Sequence, residues 1–345
     1  MMKRAKKGRK GKRKFMNQMT EYKNPFILER ADPYIIKGPD GYYYFTASYP
    51  MKSDNDSEGY DRVILRRAER LKDLSTAEEL TIWKTSDESV SHRFIWAPEI
   101  HYIAGKWYIF YAGSSELHNR WAIDCHVLEC LSSDPCKGEW VERGKFQKRE
   151  DDSFSFTGFS LDMTYFEACG KSYCVWAQQN EQRISCLYIG QVDAQKPYRL
   201  ISKPMLLSSP EYDWERVRFP VNEGPAVIQH EGRIFVCYSA SGTGPEYCVG
   251  MLEASEDEDL LSRKTWKKQD KPFLRSEDLV EEYGPGHNSF TQDEEGNDIF
   301  VYHARSRECF EKNCGYAQND PLYDPCRHAR LRRLAWRKDG KPVLL

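Results

Sequence analysis

Short apolar runs rich in aromatic and β-branched residues recur along the chain, broken by glycine-centred turns, and a 3.6-residue period is weak throughout. GYYYFTAS at Gly41, GKWYIFYAG at Gly105, GKSYCVWAQ at Gly170, GRIFVCYSA at Gly232 and GNDIFVYHA at Gly296 repeat one strand opening. These glycines are separated by 64, 65, 62 and 64 residues. A period that regular, carried by hairpins, predicts a repeat architecture filling positions 30 to 340. WYIFY and IFVCY are apolar on both faces, as expected of strands covered on both sides by neighbouring sheets. The chain is therefore expected to be all-β, a five-bladed β-propeller.

WAIDCHVLEC (121–130), SCLYIGQV (185–192) and YCVGMLEA (247–254) supply further strands, and GEWVERGKF (138–146) an outer edge. ERLKDLSTAEEL (69–80) is the one stretch able to hold a short helix. RHARLRRLAW (327–336) alternates like a strand and is expected to return to the first blade and close the ring.

Charge divides the chain in two. Residues 3–14, KRAKKGRKGKRK, hold nine Lys or Arg and no acid, so a net charge of −2 for all 345 residues leaves −11 on the rest. Residues 1–24 are expected to form a basic tail and 25–345 a catalytic propeller. An acidic body excludes nucleic acid as the partner of the folded part. No run of 18 apolar residues occurs, which excludes a membrane-spanning helix. No apolar segment follows the basic run, so it does not read as a secretory signal.

Eleven cysteines are an odd number, and Cys174, Cys237 and Cys248 fall inside predicted strands. Reduced thiols and a cytoplasmic location are expected. Three pairs share the spacing C-x4-C. Cys125/Cys130 lies in one strand, where the two thiols face opposite ways; Cys169/Cys174 straddles a turn; Cys309/Cys314 lies in a loop where a metal site stays open.

Each hairpin is preceded by a polar or aromatic residue at a nearly constant offset. Asp32, Glu223 and His287 lie nine residues before their glycines and Asp162 eight; the second copy carries Trp96 at nine and Glu99 at six. On blades around one axis these residues converge. One such acid alone reads as a strand end satisfied by backbone amides, but three at matching positions favour a shared polar hollow. Two carboxylates suffice to cleave a glycosidic bond, and a third raises the pKa of the acid. Trp96 is placed to stack on a sugar ring, or else to pack its blade. His287 is a candidate ligand for a metal ion or a hydroxyl. Arg327 and Arg330 open the last strand, and either can reach the axis to hold a carboxylate ionised. P-loop, dinucleotide, zinc-protease and serine-hydrolase motifs are missing.

ADPYIIKGPDGYYYFTAS, IWAPEIHYIAGKWYIFYAG, SLDMTYFEACGKSYCVWAQ, VNEGPAVIQHEGRIFVCYSAS, YGPGHNSF and DPLYDPCRHARLRRLAW together resemble family 43 glycoside hydrolases over residues 25 to 343. Within that family the chain is most similar to the exo-acting α-L-arabinofuranosidases. The resemblance implies a five-bladed propeller and an inverting hydrolase releasing terminal arabinofuranose from arabinan-type oligosaccharides. It implies Asp32 as general base, Glu223 as general acid, Asp162 as the residue tuning that acid, and Arg327 as the active-site arginine. It implies no cofactor for the chemistry, with a calcium or other ion near His287 on the propeller axis. β-Xylosidase and endo-arabinanase on the same fold, or a non-catalytic glycan-binding propeller, are the alternatives. The sequence leaves oligomeric state open.

Overall fold

Five antiparallel sheets follow one another along the chain, each strand pairing with the next. The structure, a computed structural model, describes residues 22–345 except 54, 55 and 57. The basic run at 3–14 lies outside the described residues.

The first blade is β1 (Ala31–Lys37), β2 (Tyr43–Ser48), β3 (Arg62–Ala68) and β4 (Leu80–Lys84). The second is β5 (Arg93–Ile103), β6 (Lys106–Ser114), β7 (Ile123–Cys130) and β8 (Trp140–Lys145). The third runs β9 (Ser160–Ala168), β10 (Lys171–Gln179), β11 (Ser185–Asp193) and β12 (Lys196–Leu200), with β13 (Met205–Ser208) also on β11. The fourth is β14 (Asn222–His230), β15 (Arg233–Ala240), β16 (Cys248–Ser255) and β17 (Lys267–Lys268). The fifth is β18 (Glu282–Gln292), β19 (Asp298–Ser306), β20 (His328–Trp336) and β21 (Pro342–Leu344).

This is the five-bladed β-propeller that the repeat predicts. Every second strand is buried almost end to end, as in β6 and β15, because each blade face packs on its neighbour. Cys125 and Cys130 of β7 fall in different inter-blade cores, one with Phe110 and Trp176, the other with Tyr44 and Trp107. Burying such aromatic side chains contributes roughly 1.5–3 kcal/mol each.

Two expectations change. The 69–80 stretch forms only a 3-10 turn, Leu71–Ser75, with Leu71 and Leu74 inserted into the first blade's core. RHARLRRLAW does not return to the first blade as an added strand. It is the third strand of the fifth blade, paired to β19. Closure comes from the segment ahead of β1: Ile27 bridges Ala329, and the Asn24 side chain bonds both the amide and the carbonyl of Leu331. β20 pairs with β19 on one edge and with β21 only at Leu334–Trp336 on the other, which leaves the edge at Ala329 and Leu331 for this short segment.

Candidate active site

All five innermost strands carry the same defect at the same place. Asp32-Pro33, Ala97-Pro98, Asp162-Met163, Gly224-Pro225 and His287-Asn288 each set two residues against a single one on the second strand. The first residue of each pair is left-handed, with φ of 56, 44, 56, 52 and 42°. Such a bulge bends the strand and re-aims a side chain that the pleat would otherwise direct into the blade.

This register corrects the counting from the hairpin glycines. The equivalents of Asp32 are Ala97, Asp162, Gly224 and His287, whereas Trp96 and Glu223 lie one residue earlier. Hairpins of the first and fifth blades hold one residue more than the other three, which hides the offset in the sequence. Gly224 is also constrained by space: a Cβ there would sit 3.1 Å from the His287 ring.

Asp32 is 8% exposed and has the most partners. The Ser48 hydroxyl donates to its Oδ2 at 2.6 Å. Its Oδ1 lies 3.3 Å from His287 Nδ1, 3.4 Å from His303 Nδ1 and 3.6 Å from an Arg327 nitrogen. Burial alone would raise the Asp32 pKa, but His287, Arg327 and His303 hold it well below the usual carboxylate range. Asp32 is thus an ionised carboxylate.

The other two acids are shifted the opposite way. Burial, with Glu223 and Asp32 nearby, pushes Asp162 up to about 7 against the pull of His287. Asp162 Oδ2 accepts the Gly224 amide at 2.9 Å. Glu223 is also raised, by enclosure first and by Asp32, although Tyr247 donates its hydroxyl to Oε1 at 2.7 Å. His287 titrates above its ordinary value because Asp162, Asp32 and Glu223 together outweigh its desolvation. One imidazole therefore answers to all three carboxylates, and protons are retained on the Asp162–Glu223 side of it.

Arg327 is buried, and its second terminal nitrogen lies 3.3 Å from the Tyr60 hydroxyl. Arg330, the other candidate, is turned away from the axis and pairs with Glu282 and the Ala304 carbonyl. Trp96 packs edge-on against Tyr60 and Phe94, and its buried indole N–H has no hydrogen-bond partner among the described residues. Glu99 points instead to His101 at 3.0 Å, and Tyr34 closes that pair from outside.

Ser48, Tyr60, Tyr247 and His303 are contacts that the sequence analysis passed over. Ser48 and His303 lie in the second strands of the first and fifth blades, opposite the bulges, which is a recognisable offset once the bulge is known. Tyr60 and Tyr247 sit in loops that join second to third strands, where no period marks them. His287 Nδ1 faces Asp32, and among the described residues the one group of three converging His, Cys, Asp or Glu donor atoms lies elsewhere.

The comparisons agree with this geometry. A model of glycosyl hydrolases family 43 matches residues 22–342. An extracellular exo-α-(1→5)-L-arabinofuranosidase of Streptomyces avermitilis is 43% identical over 324 residues, which is 93% of this chain and 62% of that protein. The chain thus spans less than two thirds of that relative's length. A protein of the same name from Streptomyces chartreusis is 41% identical over 285 residues, 82% of each. The crystal structure of an α-L-arabinofuranosidase from Lactobacillus brevis superposes with a TM-score of 0.81 at 41% identity, over 93% of this chain and 95% of that one. The cytoplasmic expectation is overturned here, since both Streptomyces relatives are named extracellular. Buried thiols do not report on the compartment: Cys125, Cys174 and Cys237 are enclosed between blades. With its bulged inner strands, its buried carboxylates around His287 and its match from residue 22 to 342, the chain belongs to the glycosyl hydrolases of family 43.

Proposed function

We propose that residues 25–345 form the catalytic propeller of an inverting exo-α-L-arabinofuranosidase acting on arabinan-type oligosaccharides. The observation that carries this reading is the electrostatic split around His287: Asp32 is held ionised while Glu223 and Asp162 are pushed toward the protonated state. Inverting hydrolysis needs that pairing, a base on one side of the sugar and an acid on the other.

Asp32 takes a proton from water as the water oxygen attacks the anomeric carbon. Glu223 gives its proton to the departing glycosidic oxygen, from the oxygen that Tyr247 leaves free. Asp162, tied to the amide next to Glu223, is coupled to that acid, and the pair retains a proton as the pH approaches 7. Arg327 secures Asp32, His287 faces Asp32, and Trp96 is the aromatic wall offered to the sugar. The chemistry needs no cofactor, and no step is routed through an ion at His287.

Relatives at 41–43% identity are named for arabinofuranose release, which favours this reading over xylosidase, endo-arabinanase or a non-catalytic propeller. A panel of aryl arabinofuranoside, xyloside and galactoside, read with the anomer of the first-formed sugar by NMR, tests it. Hydrolysis of the arabinofuranoside with inversion is expected. Retention, or preference for the xyloside, overturns it.

A further inference from the structure

Two thiols that the hydrolytic chemistry does not use meet in the loop joining β19 to β20. Cys314 Sγ lies 3.6 Å from Cys326 Sγ, with Cys314 partly exposed and Cys326 buried. A third thiol, Cys309, is within 4.8 Å of Cys326 but has another partner. Burial, with Arg330 nearby, pushes His328 down to about 4, so its ring is neutral, and its Nδ1 accepts the Glu29 amide at 2.9 Å. The ring proton is therefore on Nε2, which donates to Cys309 Sγ at 3.5 Å and offers no lone pair to a cation. Cys314 and Cys326 are left to each other.

Their placement suits a covalent link. A disulfide bond is about 2.05 Å long, so each sulfur has to move only about 0.8 Å, within reach of a small side-chain rotation. Burial alone would raise the Cys314 thiol, but the Tyr316 amide, the Cys326 and Cys309 thiols and the Ala317 amide hold it below its ordinary value. Gly315, with φ 82°, makes the turn that aims those amides. Cys314 thus presents a thiolate toward solvent, and Cys326 stands directly behind it.

We propose that Cys314 and Cys326 are an oxidisable pair that closes into an intramolecular disulfide by exchange with a low-molecular-weight disulfide, tying down the loop that ends at Arg327. The Cys314 thiolate attacks one sulfur of the small disulfide and displaces a small thiolate, which takes up a proton. Cys326 Sγ then gives up its proton and attacks Cys314 Sγ, displacing the second small thiolate. The two protein thiols lose two electrons and two protons, and the small disulfide gains them as two thiols. Residues 315–325 contain no strand or helix, so the loop depends on such ties. Its Leu322 carbonyl accepts the Tyr60 hydroxyl at 2.6 Å, and Cys326 directly precedes Arg327, which lies beside Asp32. A bond from Cys314 to Cys326 closes this loop at the foot of the arginine.

The test incubates the full chain with oxidised glutathione, denatures it without reductant, alkylates it and maps the tryptic peptides by mass. Peptide 313–327 holds Cys314 and Cys326 and no other cysteine. It is expected unlabelled and lighter by two hydrogens, and reduction should restore both thiols. Label on both cysteines, a lasting glutathione adduct on Cys314, or a link to the peptide that holds Cys309 overturns the proposal. Cys309→Ser should still form the bond, and Cys314→Ser and Cys326→Ser should not. Because a serine variant can fail to fold, the wild-type map is read independently. Reducing the oxidised chain should lower its melting temperature by roughly 5 °C; an unchanged value overturns the role as a tie. Reduction should also move the acid limb of kcat/KM to higher pH as Arg327 loosens from Asp32, and an unmoved limb overturns the link to Arg327. That last readout rests on the proposed role of Asp32 as base, whereas the peptide map does not, so the two readings fail separately.

Discussion

The Gly224 amide donates to Asp162 Oδ2 at 2.9 Å, so the carboxylate of one blade is tied to the residue directly after Glu223 in the next. The bond passes between blades at the bulge and couples two acids that lie 61 positions apart in the chain. Glu223 raises Asp162, so the two acids titrate as a pair and the charge on one bears on the other.

Removing that charge should move the pH profile. In Asp162→Asn, loss of a nearby negative charge lowers the Glu223 pKa, so the general acid deprotonates earlier. The alkaline limb of kcat/KM shifts to lower pH, and the rate at neutral pH falls by roughly 10²-fold. A profile across both limbs checks this; an unmoved alkaline limb contradicts the tuning role.

The same substitution should stabilise the fold at higher pH. Asp162 is raised in the native state to about 7, so its contribution is fully present below the unfolded carboxyl pKa and is lost as pH rises through 7. Above that point the native state holds a desolvated charge that asparagine lacks. Melting of Asp162→Asn is expected to exceed wild type at pH 8 by an amount worth about 1–2 kcal/mol, and the gap should narrow toward pH 5. Asp32 has the opposite sign: its depressed pKa gives stability above the unfolded value, lost only as the solution becomes strongly acidic.

Leaving-group dependence should separate acid from base. Glu223→Gln loses roughly 10²–10⁴ in rate on substrates with poor leaving groups and much less on an activated aryl arabinofuranoside, whose oxygen needs no proton. Asp32→Asn loses a similar factor on both, because water activation is required in each case. Parallel kcat measurements on the two substrates check the assignment.

Gly224→Ala tests the bulge. The new Cβ meets the His287 ring at 3.1 Å and the backbone must hold φ at 52°, which costs about 1–3 kcal/mol. A lower melting temperature is expected, with a loss of kcat because His287 is displaced from Asp32. Calorimetry and a single-substrate assay measure both.

Local pattern carried the architecture. The recurrence of hairpins at a near-constant interval is a property of neighbouring residues, and from it follow the number of blades, the buried second strands and the convergence of Asp32, Asp162, Glu223 and His287. The resemblance of the motifs carried the family. What the interval could not reveal is the one-residue offset at Trp96 and Glu223, because turn length and bulge register vary together and cancel in the count.

The rest depends on residues far apart in the chain. Whether a buried carboxyl is charged is decided by what stands within a few ångströms of it, and those neighbours come from other blades. Asp32 is ionised because His287, His303 and Arg327 face it; Asp162 is raised because burial and Glu223 outweigh His287. The sequence by itself determined which strands line the axis, since strand period and repeat length are local; only the tertiary structure decided the bulge register, the protonation of the acids and their partners, because electrostatic and hydrogen-bond energies fall off within a few ångströms and ignore distance along the chain.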